Sequence, residues 1–423
     1  MDDISSLEID YSWSFSDKTT KDTSYLTHGY YTYPAKFIPQ LAARLIHEYS
    51  HEGDIVIDPF MGSGTTVVES ILNNRIGIGA DINEIAYLAA AVKSTPLDNQ
   101  ELVEASIALE HQLVFSSSKT PHSCELIRKN EDRIDYWFLP EQKEELLYIL
   151  TLILEIKDKK IKDFFLIAFA QILKSCSIWL QRSIKPTRDK CKKVNKPIEL
   201  FLRQAKKMIL RHVDFNRRLD KDVKNKIDSY RIIKCGDSRE LPCKDESAAL
   251  AVTSPPYVTS YEYADLHQLP LLWLGYLDEL ADFRKKFIGS AHKTREAIDM
   301  KSETANSIVA GFGKNKKGVE TRNYFSDMLE SFIELKRVLR KGGKACIVIG
   351  NTEFKGVKIL NAEVFLEQFE NIGFRTCNLI HREIPSKMLP STRDVTTGQF
   401  TKCNKDALKL AYPTEYILVV EKL

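Results

Sequence analysis

The chain has 423 residues, 43% hydrophobic and 28% charged, with a formal net charge of +3 at pH 7. That length allows two or three domains with a sizeable core, and no run of 18 or more apolar residues offers a membrane span. The amino terminus, Met-Asp-Asp-Ile-Ser-Ser, is acidic and unlike a secretory signal, and the eight cysteines form no C-x-x-C pair. These features point to a cytoplasmic protein whose thiols are mostly buried, without a zinc site or a disulfide framework.

In chain order, the first strong element is a short apolar strand from Asp54 to Asp58, followed by Pro59-Phe60-Met61-Gly62-Ser63-Gly64-Thr65-Thr66 and a helical pattern from Val67. Glycines in a strand-to-helix turn let the backbone approach a ligand and present the positive helix end to its anionic part. The turn therefore reads as a cofactor seat. Its spacing matches neither G-x-G-x-x-G nor G-x-x-x-x-G-K-[ST], which argues against a nicotinamide dinucleotide and a nucleoside triphosphate. The next strand, Ile76 to Asp81, ends in a carboxylate placed where doubly wound folds bind ribose hydroxyls.

Between Leu97 and Tyr230 the period becomes helical, as in Leu146, Leu147, Ile149, Leu150, Ile153, Leu154 and then Phe164, Phe165, Ile167, Ala168, Ile172. An insertion of this length is sufficient for a helical domain of its own, residues 99–229, between two parts of an α/β domain, 1–98 and 230–423. From Arg182 to Lys226 it carries sixteen Lys and Arg against five Asp and Glu, with Arg182, Lys185, Arg188, Lys190, Lys192, Lys193 and Lys196 closely spaced. Such a block can neutralise several phosphates, and it makes the insertion the first candidate for a DNA-binding, target-recognition domain. The bland alternative is a solvated helix face.

After Tyr230, strands are expected at 231–235, 248–253, 344–350, 375–381 and 415–421, which with the first two predict an α/β fold with a seven-stranded, largely parallel sheet. A helix from Tyr324 to Leu339, with Phe325, Met328, Leu329, Phe332 and Leu335 on one face, leads through Lys341-Gly342-Gly343 into the fifth strand. The 248–253 strand ends in Thr253-Ser254-Pro255-Pro256-Tyr257, at the carboxyl end where open α/β sheets bind ligands. Proline has no N–H, so consecutive prolines leave carbonyl acceptors without competing donors, while Ser254 adds an acceptor and Tyr257 a face for a planar base. The polar stretches 276–322 and 384–412, the latter with Lys387, Arg393 and Lys402, are long enough to reach DNA.

Together, Asp58-Pro59-Phe60-Met61-Gly62-Ser63-Gly64-Thr65-Thr66 and Thr253-Ser254-Pro255-Pro256-Tyr257 closely resemble the S-adenosylmethionine turn and catalytic tetrad of DNA methyltransferases that act on exocyclic amines. The Ser-Pro-Pro-Tyr form is similar to that of the cytosine-N4 enzymes of restriction-modification systems. His28-Gly29-Tyr30-Tyr31-Thr32-Tyr33-Pro34-Ala35-Lys36-Phe37 resembles the family segment that closes over the methionine end of the cofactor. The likeness covers roughly 28–98 and 230–423. It implies a Rossmann-like methyltransferase sheet whose last two strands form an antiparallel edge. It further implies S-adenosyl-L-methionine as methyl donor, double-stranded DNA as substrate, base flipping, and a cognate restriction endonuclease as a partner. Here the cofactor motif precedes the tetrad, whereas many Ser-Pro-Pro enzymes show the reverse order.

The same likeness assigns Ser254, Pro255, Pro256 and Tyr257 to catalysis. It assigns Tyr33, Lys36, Phe37, Asp58, Pro59, Phe60, Gly62, Gly64, Thr65, Thr66, Asp81 and Asp237 to the cofactor, with Asp58 on the methionine moiety, Asp81 on the ribose and Asp237 near the adenine. A surface position for Lys36 is nearly as well supported by the residues alone. Cys243, after Pro242, sits in a polar loop before a strand and not at a strand's carboxyl end, and amine methylation needs no covalent nucleophile. His267 and Trp179 read more simply as structural groups. Adenine-N6 methylation, modification of RNA or a protein amide, and a catalytically inactive DNA-binding specificity subunit are the competing readings.

Overall fold

The computed structural model describes residues 4–34, 36–115, 124–181, 183, 186–258, 263–277, 279–290, 298–313, 315–354, 356–385, 392–394, 408–410 and 413–423. Seven strands form one sheet: β1 (Ile55–Asp58), β2 (Ile76–Asp81), β3 (Arg231–Cys235), β4 (Ala248–Thr253), β5 (Leu339–Ile349), β6 (Phe374–Glu383) and β7 (Thr414–Lys422). Their order across the sheet is β3-β2-β1-β4-β5-β7-β6. The first five pair in parallel, and β7 runs antiparallel between β5 and β6. The final strand is thus interior, which is why Tyr416 to Val420 is buried without interruption.

Alternate residues of each strand feed two apolar layers, as the period of two requires. Ile57, Ala251, Ile347 and Leu418 point to one layer, capped by Phe325, Met328, Phe332 and Phe365. Val56, Leu250, Val252, Cys346 and Val348 point to the other, capped by Leu41 and Leu45 of helix α1 (Pro39–Tyr49). The chain leaves β1 toward β2 on one side and returns as β4 on the other. This reversal opens a crevice beyond the carboxyl ends of β1 and β4. Helices α2 (Thr65–Leu72) and α3 (Glu84–Ser94) follow β1 and β2.

β5 begins earlier than its expected start. Lys341-Gly342-Gly343 lies within the strand, with Gly342 at φ +75° and a register shift opposite Ala248 to Leu250. A Cβ on Gly343 would stand 2.8 Å from the Arg340 carbonyl oxygen and 3.2 Å from those of Ala248 and Ala249. The glycine pair makes an irregularity inside the sheet rather than a turn before it.

The described part of the insertion is helical as expected. Its main elements are α4 (Asn99–Phe115), α5 (Glu131–Trp137), α6 (Pro140–Glu155), α7 (Lys159–Cys176) and α8 (Pro197–Arg218). Their core is continuous with Tyr30, Tyr31, Tyr33, the α3 residues Ile85 and Leu88, and Leu269 to Trp273 from beyond β4. α7 is the central helix, with Phe164, Phe165, Ile167, Ala168 and Phe169 inaccessible on several faces. Short two-stranded pairs at Thr352–Phe354 with Val357–Ile359, and at Thr392–Asp394 with Leu408–Leu410, complete the fold. Among the described residues no helix is long and apolar enough to cross a membrane, and no group of three His, Cys, Asp or Glu can hold a metal. The seven described cysteines are free, but only Cys176 and Cys346 are buried, while Cys191, Cys235 and Cys377 are exposed, against the expectation of mostly buried thiols.

Candidate active site

The crevice is a cleft of about 310 Å³ lined from both strand ends. β1 supplies Asp58, Pro59, Phe60, Met61, Gly62 and Thr65; β4 supplies Ser254, Pro256 and Tyr257. Two hydrogen bonds tie these loops together. The Thr253 hydroxyl donates to Asp58 Oδ1 at 2.6 Å, and the Thr66 hydroxyl donates to the Val252 carbonyl at 3.1 Å.

Asp58 is buried, and Oδ1 also accepts the Phe60 N–H at 3.1 Å. Burial raises its carboxyl from 3.8 to about 6, partly offset by its hydrogen bonds. Asp81 accepts the N–H of Gly62 on Oδ2 and that of Asn83 on Oδ1, both at 2.9 Å, and burial likewise raises it to about 6. The carboxylate at the end of β2 therefore holds the glycine turn in place as it faces the cleft.

Gly62 and Gly64 have different tasks. A Cβ on Gly62 would lie 3.1 Å from the Tyr33 ring, and a Cβ on Gly64 would lie 2.8 Å from Ala90 Cβ. Gly62 makes room for a cleft-lining aromatic, whereas Gly64, at φ +81°, lets α2 approach α3. Gly64 and the buried Thr66 stand behind the cleft wall, unlike Tyr33, Lys36, Phe37, Asp58, Pro59, Phe60, Gly62, Thr65, Asp81 and Asp237, which line it. Pro255 is also buried and outside the lining.

Tyr33 is backed by His267, with ring centroids 4.5 Å apart and nearly parallel planes. His267 is buried, pushed down to about 3 by burial, and its Nδ1 lies 3.3 Å from the Tyr31 hydroxyl. It is a structural support for the segment over the cleft. Lys36 reaches into the cleft and donates to the His28 carbonyl at 3.1 Å, and burial lowers it to about 8. A further lysine, Lys93, is completely buried behind the turn, where it donates to Ser63 Oγ at 2.7 Å, and burial pushes it well below its ordinary value.

Opposite the glycine turn, Asp237 lines the cleft while its carboxylate holds Arg239 through two hydrogen bonds of 2.8 and 2.6 Å. Arg239 also reaches Asp327 at 2.9 Å and Glu330 at 3.1 Å. Phe287, Ile288, Gly289 and Ser290 complete this wall, and Lys317, Glu320 and Tyr324 stand near the tetrad. No sequence signal marks these residues as part of a site, because a polar stretch carries no period that reports a long-range neighbour. The 276–322 stretch, expected at DNA, thus contributes Phe287 to Ser290 to the cleft, while residues 291–297, and Lys387 and Lys402 farther on, lie outside the described residues.

Cys243 lies before the amino end of β4, half-buried, with its thiol raised by burial and absent from the lining. In the basic block, Arg188, Lys190 and Lys193 are exposed, and the Arg188 guanidinium stacks over Tyr136 at 4.0 Å. Lys192 turns inward, donating to the carbonyls of Lys174, Ser177 and Trp179 at 2.7 to 2.8 Å. This lysine fastens the insertion to itself, because three carbonyl acceptors converge on one ammonium. Trp179 is core, stacked on Trp137. Arg182 and Lys185 lie outside the described residues.

A sheet with one antiparallel strand inserted between its fifth and sixth members, and a glycine turn and a Ser-Pro-Pro-Tyr loop opening on one cleft, define a methyltransferase acting on an amino group. The chain belongs to the DNA methylase family, whose model matches residues 4–93 and 248–423. It is similar to the Type II methyltransferase M.MvaI of Kocuria varians, 28% identical over 408 residues that cover 89% of this chain and 88% of that one. It is also similar, at 24% identity each, to M.MjaII of Methanocaldococcus jannaschii (81% and 76% covered) and M.BsoBI of Geobacillus stearothermophilus (82% and 78% covered), both Type II methyltransferases.

The protein is therefore a DNA methyltransferase, and S-adenosylmethionine is its methyl donor. The cleft fits that molecule. The buried carboxylate of Asp58 and the half-buried one of Asp81 suit its cationic centre and ribose hydroxyls, and Phe60, Ile82 and Ile288 offer apolar surface for a flat base. Bound there, the cofactor supplies an electrophilic methyl group.

Proposed function

We propose that the protein methylates the N4 amino group of cytosine in double-stranded DNA and serves a restriction-modification system with a cognate endonuclease. The observation that carries this reading is Ser254 in the wall of the same cleft as the glycine turn. A serine there offers a hydroxyl oxygen as acceptor, where an adenine-N6 site usually has the carboxylate or amide oxygen of Asp or Asn. The target base leaves the duplex at a cost of a few kcal/mol and stacks on Tyr257. The amine hydrogens are accepted at Ser254, which lines the cleft, beside the Pro256 carbonyl that the Tyr324 hydroxyl holds at 2.7 Å. Their acceptance would turn the nitrogen lone pair toward the methyl group that bound S-adenosylmethionine would supply, with the S–C bonding pair left on sulfur and the amine proton passing to water. Alignment at about 3 to 3.5 Å supplies much of the barrier reduction without a strong base.

In this reading Lys36 holds the cofactor carboxylate, Asp58 its methionine moiety, Asp81 its ribose, and the Asp237 loop its adenine. Arg188, Lys190 and Lys193 bind phosphates, with the helical insertion as the segment that reads the target sequence. Digesting duplex DNA methylated by the purified protein and identifying the modified nucleoside tests the reading. N4-methylcytosine is expected, and N6-methyladenine as sole product overturns it. Ser254→Ala is expected to keep cofactor affinity while turnover drops on the order of 10²-fold, as for removal of one positioned polar group at a reacting centre.

A further inference from the structure

Three segments of the cleft wall, distant in the chain, hang on one face of the helix Lys316–Val338. Lys317 Nζ donates to the carbonyl of Val258, just past the tetrad, at 3.4 Å, and the Tyr324 hydroxyl donates to the carbonyl of Pro256 within it. Three residues farther on, Asp327 Oδ2 accepts the Gly289 N–H at 2.8 Å, and Oδ1 accepts from Arg239, the residue that grips Asp237. Ser331 then meets Ser238 at 2.8 Å. Positions 317, 324, 327 and 331 share one helical face.

Tyr324 and Asp327 are almost wholly buried, although Tyr324 borders the cleft. Gly289 has φ +74°, and a Cβ there would stand 2.9 Å from Tyr324 Cβ. The 287–290 segment therefore sits directly on the residue that holds the tetrad. A rigid helix with hydrogen bonds to both walls fixes their separation, and a reacting geometry is sensitive to shifts of about 1 Å.

We propose that Tyr324 and Asp327 are positioning residues that set the tetrad and the cofactor's adenosine-side wall in one register. Tyr324 governs the amine end through Pro256. Asp327 governs the cofactor end through Gly289 and Arg239. The inference rests on methyl transfer to a DNA base at this cleft but not on which base is modified.

The test uses the full chain, with cofactor affinity measured by calorimetry, DNA methylation rates at saturating cofactor, and thermal melting of each variant. Tyr324→Phe removes one hydroxyl. It is expected to leave the melting temperature and cofactor Kd close to wild type while kcat falls about tenfold, equal to an increment of about 1.4 kcal/mol in the barrier. Asp327→Asn and, independently, Gly289→Ala are expected to raise cofactor Kd about tenfold with a smaller change in kcat at saturation. A Tyr324→Phe enzyme with wild-type kcat, or with cofactor affinity, kcat and melting temperature all lowered in step, overturns the proposal. So does wild-type cofactor affinity in both Asp327→Asn and Gly289→Ala. A wild-type protein that binds cofactor but methylates no DNA base strikes the proposed function instead, and the two affinity measurements still judge the role of Asp327.

Discussion

Replacing Asp58 by Asn separates the requirements of folding from those of the site. The Asn Oδ1 can take over both bonds that Oδ1 accepts, from Thr253 and from the Phe60 N–H. What changes is the charge. A carboxyl raised from 3.8 to about 6 in the folded protein is one whose ionised form the fold disfavours. Below pH 4 it is protonated whether the chain is folded or unfolded, and burial then carries no charge penalty. Between about 4 and 6 the unfolded chain releases its proton first, so stability drains away as pH rises, and above 6 the loss is complete at on the order of 3 kcal/mol. The Asn variant has no such loss. Its stability relative to wild type should be near zero at pH 4 and rise to on the order of 3 kcal/mol in its favour at pH 8. Urea unfolding of the cofactor-free proteins at pH 4, 5, 6 and 8 reads this directly, and the variant should bind S-adenosylmethionine more weakly above pH 6, where the wild-type carboxyl is ionised. A variant less stable than wild type at pH 8 would mean that the ionised carboxylate is a net stabiliser, and the reasoning fails.

Two further outcomes follow from neighbouring geometry. Gly64→Ala forces a Cβ against Ala90 at positive φ and should destabilise the protein by roughly 2 to 4 kcal/mol in urea unfolding. Gly62→Ala instead presses on Tyr33 and should weaken cofactor binding more than it lowers stability. In the insertion, the double change Lys190→Gln and Lys193→Gln should flatten the dependence of log DNA affinity on log salt by about 0.9 for each phosphate no longer neutralised. Lys192→Gln should keep that slope and cost about 1 to 3 kcal/mol, since it abandons three carbonyl acceptors. An unaltered slope in the double variant places the phosphates elsewhere.

The seven sheet strands lie close to their expected places because each is a short apolar run bounded by turn residues, and burial leaves that mark on local composition. The glycine turn and the tetrad are legible for a related reason: both demand residue types that few other tasks require. Local pattern does not name partners, however. Only the tertiary structure inserts β7 between β5 and β6, turns Lys192 inward while Lys190 and Lys193 stay exposed, and joins the insertion's core to Tyr30 and Leu269. The wall at Phe287 to Ser290 and its anchors at Tyr324 and Asp327 are equally invisible in the sequence, since the Arg239 to Asp327 and Tyr324 to Pro256 hydrogen bonds join residues 88 and 68 positions apart. Burial is a property of one residue and its near neighbours, so sequence carries it. A hydrogen bond across the fold exists only once two distant elements have been packed against each other, and that placement belongs to the folded chain as a whole.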